Sequence, residues 1–122
     1  MKICIFGAGA IGGYLAAGLA QAEGAEVAVI ARGAHLDAIR ANGLTLLKED
    51  GEITVPVEAA KDPAEIGPVD VVVNALKAHQ AWASAADMVP LLGPETPVVC
   101  CQNGVPWWYF HGLRGEHEGK RL

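Results

Sequence analysis

Gly7, Gly9 and Gly12 stand in the stretch "KICIFGAGAIGGYLA" at the spacing G-x-G-x-x-G. They follow a short apolar, β-rich run (residues 2–6) and open an alanine- and leucine-rich run (residues 10–23) with helical character. Each position needs glycine for its own reason. Gly7 permits a tight turn out of a strand, Gly9 leaves the backbone bare for a close approach, and Gly12 lets a helix lie against the strand. The N–H groups near Ala10 and Ile11 would then face an anion, with the positive end of a helix behind them. The pattern alone is weak in a chain with 15 glycines. Its setting, between a strand and a helix with a second strand to follow, makes it a cradle for the pyrophosphate of a dinucleotide, built by Gly7, Ala8, Gly9, Ala10, Ile11 and Gly12. The alternative is a tight turn that serves packing only.

The second strand ends in "VIARGAH", with no acid where a ribose diol would be gripped, and Arg32 stands there instead. A guanidinium holds a 2′-phosphate through charge-assisted hydrogen bonds, whereas a carboxylate repels it. Arg32 therefore points to NADP(H) over NAD(H); its alternative is a solvated loop charge. His35 is placed to assist, or equally to do nothing. Two further polar residues follow strand-like runs: Lys77 after "VVVNAL" and Asn103 after "VVCCQ". Ligands of open α/β sheets lie beyond the carboxyl ends of strands, so both are expected to face the glycine loop. Lys77 offers a cation to a ribose or a carboxylate. Asn103 offers an amide, with Gly104 beside it for a sharp turn. Each has a surface turn as its alternative. Gln80 is a weaker candidate, and Asn74, inside its strand, is expected to be satisfied internally. The histidines show no metal-ligand spacing, and no nucleophile–base pair is visible.

The elements that must hold these residues alternate β-α-β-α. Strands are expected at 2–6, 26–31, 69–76 and 96–102, and helices at 10–23, 34–43 and 79–92. A hairpin at 44–57 turns about Asp50-Gly51, and 61–68 is a loop with one helical turn. Apolar strands without alternation are buried on both faces. The rhythm gives an α/β class, a Rossmann-like doubly wound parallel sheet. At 122 residues and 52 % apolar content the chain makes one domain with a core. Its net charge of −5, without a basic block, gives no footprint for nucleic acid, and no apolar run reaches membrane-span length. Three cysteines in apolar surroundings read as buried thiols in a reducing cytoplasm. Residues 107–110, two tryptophans, a tyrosine and a phenylalanine, are expected to pack in a core or an interface.

In order along the chain, "KICIFGAGAIGGYLA", "ARGAHLDAIRANGL", "NALKAHQ" and "QNGVPWWYFHG" resemble ketopantoate reductase (2-dehydropantoate 2-reductase). The resemblance implies NADPH-dependent reduction of a 2-keto acid, ketopantoate to pantoate, on the route to pantothenate and coenzyme A. It places Gly7–Gly12 on the pyrophosphate, Arg32 on the 2′-phosphate, Lys77 beside the cofactor, and Asn103 against both nicotinamide ribose and substrate. Family members are more than twice this length. Residues 1–122 would form their N-terminal dinucleotide-binding domain, its sheet incomplete at the C-terminal end, with "GEHEGKRL" as the lead-in to a further strand. The family's catalytic lysine lies in a helical C-terminal domain outside this sequence, so no catalytic residue is assigned here and the chain alone is expected to be inactive. The aromatic run would meet that domain or a second copy, as in a homodimer. The competing readings are a reductase of another 2-keto acid, a stand-alone dinucleotide-sensing module, and a poorly folding product with a sticky edge.

Overall fold

Residues 2–6 form the central strand of the protein, and everything else is arranged about it. The computed structural model describes all 122 residues. In chain order it has β1 (Lys2–Phe6), α1 (Ala10–Leu19), β2 (Glu26–Ile30), α2 (Gly33–Asn42), β3 (Leu44–Lys48), β4 (Gly51–Val55), β5 (Glu58–Ala60), α3 (Pro63–Ile66), β6 (Val71–Asn74), α4 (Ala78–Ala83), a 3-10 helix (Ala86–Leu91) and β7 (Val98–Cys100). Five strands form one sheet in the order β5-β2-β1-β6-β7, and β3 pairs with β4 as a separate hairpin. Every pairing in the larger sheet is parallel, with Ile5 opposite Val29 and Val73.

Successive side chains of a strand point to opposite faces, and here both faces are covered. Ile3, Ile5, Val29 and Val73 pack with Ala16 and Ala17 of α1, Leu36 and Ile39 of α2, and Leu44 and Val55 of the hairpin. Cys4, Phe6, Ile30 and Val72 pack with Ile66 of α3 and with Met88 and Leu91 of the 3-10 helix. The sheet is thus doubly wound, as the β-α-β-α rhythm predicts. Full burial of each such aliphatic side chain contributes about 1.5–3 kcal/mol. The hairpin forms where Asp50-Gly51 predicts it, with Gly51 at φ 142° and the Thr45 and Thr54 hydroxyls 2.9 Å apart across the strands.

The structure differs from the sequence reading at several places. The helix expected over 10–23 stops at Leu19, and turns lead to Gly24 at φ 77°. The helix expected over 79–92 is broken in two, α4 and the 3-10 helix. Pro90 lies within the second piece; its ring clashes with an α-helical carbonyl four residues back and disfavours the α conformation before it. β5 is three residues long, "EAA", and has no β-branched residue to announce it. The strands expected over 69–76 and 96–102 shrink to Val71–Asn74 and Val98–Cys100. β7 is an edge strand, exposed throughout, so the expectation of three buried thiols holds for Cys4 alone: Cys100 and Cys101 are exposed. Residues 116–119 form a turn.

Burial, with Glu58 nearby, pushes the Cys4 thiol up from 9.0 to about 12. The folded chain keeps that proton where the unfolded chain releases it. The resulting stability is present below pH 9 and is lost progressively as pH rises from 9 towards about 12. Ellman titration of the native protein at pH 8 is expected to count two thiols, with the third appearing only in denaturant; three fast thiols would contradict the burial of Cys4. A second outcome concerns the seat of α1. A Cβ on residue 12 would lie 2.0 Å from the Gly7 carbonyl oxygen. Gly12→Ala should lose about 3 kcal/mol, a drop of roughly 10 °C in a thermal melt; an unchanged midpoint would show that this contact does not hold the helix.

Candidate functional site

β1 ends at Phe6, and the chain turns through Gly7 at φ 103°, a conformation that favours glycine. A side chain at Gly7 would also run into Leu76, whose Cδ2 lies 2.6 Å from the Cβ position, and one at Gly12 would strike the Gly7 carbonyl. Both glycines therefore have reasons inside the fold. Gly9 has none: its φ of −74° and ψ of −163° suit any residue, and a Cβ there would meet nothing within 4 Å. Its side chain would project only into the open space over the loop. Gly9 is the N-cap of α1 and makes no side-chain cap bond. The amides of the first helical turn, from Ala10 on, have no intrahelical acceptor and carry the positive end of the helix dipole. Ala8 is buried, whereas Gly9, Ala10 and Ile11 are exposed. The arrangement is a bare backbone cradle at a helix N-terminus, of the kind that takes an anion.

Around it lies a cavity of about 360 Å³ lined by Phe6 to Gly9, Ile30 to Arg32, His35, Leu76 and Gln80. Arg32 is the N-cap of α2, exposed, and in none of the chain's three ion pairs. His35 is committed elsewhere: its Nε2 lies 2.7 Å from the Ala8 carbonyl oxygen, a bond the ring can make only by donating from Nε2–H. His35 thus ties α2 to the glycine loop. An adjoining cavity of about 630 Å³ shares Phe6, Ile30 and Arg32 with the first and adds Lys61, Asp62 and Asp87. Lys61 follows β5 directly, and the Ala31 amide donates to the Ala60 carbonyl at 3.0 Å, so Arg32 and Lys61 leave neighbouring parallel strands side by side. Asp62 has its carboxylate turned to the Ala64 amide, 2.9 Å away, as the cap of α3. Sequence reasoning missed Lys61 because it missed β5.

The other expected residues divide. Lys77 is the N-cap of α4 and is exposed, and its side chain lines neither of these cavities. Gln80, the weaker candidate, lines the loop cavity, and its Oε1 accepts from the Lys77 amide at 3.4 Å. Asn74 is satisfied internally as expected: it is 3 % exposed and accepts from the Leu76 amide at 3.2 Å. Asn103 leaves the end of β7 and lies in the wall of a third cavity, about 640 Å³, on the other side of α4. It does not share a cavity with the glycine loop. With it stand Gln102, Gly104 at φ 95°, Trp82, Trp107, Trp108 and Arg121. Gln102 belongs to the Gln102-Asn103-Gly104 stretch that the sequence already marks, whereas Trp82 and Arg121 carried no signal, since nothing in their spacing brings them to Asn103.

The sequence model of the ketopantoate reductase PanE/ApbA family matches residues 3–106. A 2-dehydropantoate 2-reductase of Mesorhizobium japonicum is 57 % identical over all of this chain, which spans 37 % of that relative. Among solved structures, a Ralstonia solanacearum protein provisionally called a ketopantoate reductase superposes with a TM-score of 0.88 at 49 % identity, over 98 % of this chain and 37 % of that one. The ternary structure of D-mandelate dehydrogenase with NADH and anilino(oxo)acetate superposes at 0.74 with 29 % identity, over 86 % of this chain and 34 % of the other. The chain therefore spans little more than a third of the length of these proteins.

Because Gly9 serves nothing inside the fold, Gly9→Ala separates ligand binding from stability. Gly9 is the N-cap of α1, where alanine is less favourable than glycine by about 0.5–1 kcal/mol, so the melting midpoint should fall by only a few degrees, about 2–6 °C. Its affinity for NADPH, read by nicotinamide fluorescence, should fall at least about tenfold, or ~1.4 kcal/mol. Unchanged affinity would remove the cradle from the binding site.

Proposed function

The chain belongs to the ketopantoate reductase PanE/ApbA family, and on that premise we propose that it forms the NADP(H)-binding part of a 2-dehydropantoate 2-reductase, the enzyme that converts ketopantoate to pantoate on the way to pantothenate and coenzyme A. One observation carries the proposal: Gly9 is bare on the solvent side of the cradle, for no internal reason, next to an arginine without an acidic partner. The residues present fit a dinucleotide phosphate. The backbone from Gly7 to Gly12 receives the pyrophosphate, and Ala10 and Ile11 offer amides from the first turn of α1. Arg32 takes the 2′-phosphate, with Lys61 as a second cation on the adjoining strand end. His35 acts indirectly, by holding the Ala8 carbonyl. Gln80 lies along the same groove. Asn103, at the far side of α4, receives the nicotinamide ribose and the substrate, and Lys77 lies on the cofactor side of that boundary.

NADPH held there would supply hydride-transfer chemistry for the carbonyl of a 2-oxo acid. Reduction leaves an alkoxide that needs a proton donor. We assign that donor to the part of the protein outside these residues, together with the groups that fix the substrate and with any homodimer contact. We place the work of the protein in the cytoplasm, where thiols stay reduced, in keeping with its free cysteines. A second reading widens the substrate to other 2-oxo acids. It is supported by the aromatic cavity beside Asn103 and by the likeness to D-mandelate dehydrogenase.

Arg32→Ala tests the cofactor assignment. Loss of a charge-assisted contact costs about 1.5–3 kcal/mol, so NADPH affinity should fall roughly 10- to 150-fold while NADH affinity changes little. Fluorescence titration with both cofactors gives the answer. Equal losses for the two, or none for NADPH, would place the 2′-phosphate elsewhere.

A further inference from the structure

We infer that the Asp87 carboxylate accepts a hydrogen bond from the exocyclic amine of the cofactor's adenine, and so sets which base the dinucleotide site takes. The inference rests on the reading of the chain as the NADP(H)-binding part of a reductase, and it adds to that site a specificity-determining residue that no spacing in the sequence marks.

The covalent structure of the ligand fixes where its base must go. The 2′-phosphate and the base sit on adjacent carbons of one ribose, so a phosphate on Arg32 brings the base within a sugar's width of that guanidinium. Arg32 lines two cavities. The smaller, about 360 Å³, contains the loop from Gly7 to Gly9 and receives the pyrophosphate. The larger, about 630 Å³, shares Phe6, Ile30 and Arg32 with it and contains none of the loop glycines. That larger cavity is the space the base would enter.

Its lining suits a flat ring. Phe6 and Ile30 are the last residues of β1 and β2 and are only 3 % and 6 % exposed. They give an apolar floor at the carboxyl ends of parallel strands, where ligands of such sheets lie. Pro63, Ala86 and Pro90 border the same space. Proline and alanine side chains have no rotamer freedom to lose, so these walls receive a ring without an ordering cost.

Four polar side chains line the cavity: Arg32, Lys61, Asp62 and Asp87. An amine needs an acceptor. Arg32 and Lys61 carry donors only and suit a phosphate. Asp62 is engaged in the cap of α3: its Oδ1 accepts from the Ala64 amide at 2.9 Å, and Glu65 Oε1 accepts from the Asp62 amide at 3.2 Å. Asp87 stands in the first turn of the 3-10 helix and is exposed. Its carboxylate joins none of the chain's three ion pairs and none of its side-chain hydrogen bonds. It is the acceptor left for the amine, and a charged acceptor makes the stronger kind of hydrogen bond.

The probe is the purine analogue of NADPH, in which hydrogen replaces the 6-amino group and both phosphate groups are unchanged. Its affinity and that of NADPH are read by nicotinamide fluorescence. The protein is expected to bind NADPH about tenfold more tightly than the analogue. Asp87→Ala, at an exposed position, should bring the two within about threefold and leave the thermal melt close to that of the parent. Removing a negative charge near the 2′-phosphate raises both affinities alike, so the ratio alone reports on the base. A parent that binds the two within about threefold overturns the proposal while the cofactor assignment stands. An Asp87→Ala that keeps the parent's ratio does the same, and leaves Asp87 as a counter-charge to Arg32 and Lys61. Should neither dinucleotide bind, the cofactor assignment falls and the proposal falls with it.

Discussion

The contact between residue 12 and the carbonyl of residue 7 sets the rest of the structure. Helix α1 lies so close to the end of β1 that a single methyl at Gly12 would occupy space held by the Gly7 oxygen. That proximity aims the first turn of α1 over the carboxyl end of the central strand. It also forces the chain through a positive φ at Gly7, against which Leu76 packs from the end of β6. Helix, turn and two strand ends are therefore fixed by one steric condition. The cradle is bare because the two glycines that build it leave the third free to face outward. His35 adds a second constraint from α2, holding the Ala8 carbonyl, so the loop is braced from both neighbouring helices.

Much of this was legible in the sequence because the relevant physics is local. Glycine spacing, the apolar strands and the Asp50-Gly51 turn each depend on a few consecutive residues, and each appears where the spacing puts it. What escaped depends on distant partners. β5 has no intrinsic strand preference and exists because its backbone pairs with Ala28 to Ile30 of β2. Lys61 escaped with it, although it leaves the sheet beside Arg32. The break between α4 and the 3-10 helix could be read from Pro90, but a helix running to residue 92 takes that proline for a terminator only. Cys100 and Cys101 look like core residues by composition. Their exposure follows from β7's place at the sheet edge, which no local pattern encodes.

The candidate site shows the same division. Glycine loop and Arg32 sit together as their spacing implies. Lys77 and Asn103 were expected on the crevice of the glycine loop because each follows a strand. The helix expected at 79–92 lies between them as the shorter α4, and it sorts the residues. Its first turn turns Gln80 towards the glycine loop and His79 and Trp82 towards Asn103. A residue at a strand end is near the site by topology, but which cavity it serves is decided by a helix whose length the sequence misjudged.

This partition gives the two ends of the groove different chemistry. At the β2 and β5 ends, Arg32 and Lys61 lie side by side, while the nearby Asp62 carboxylate is occupied with capping α3. Asp62 and Asp87 line the same cavity, so the two cations are balanced there, and in a chain of net charge −5 they act on a phosphate by direct contact and not through a long-range field. At the β7 end the one cation, Arg121, is stacked on indoles. A guanidinium stacked on indoles sits in an apolar frame, where the lower effective dielectric strengthens each polar contact. Helix α4 stands between the two kinds of surroundings: the bare backbone cradle with Arg32 and Lys61 nearby on one side, and a single guanidinium among indoles beside Asn103 on the other.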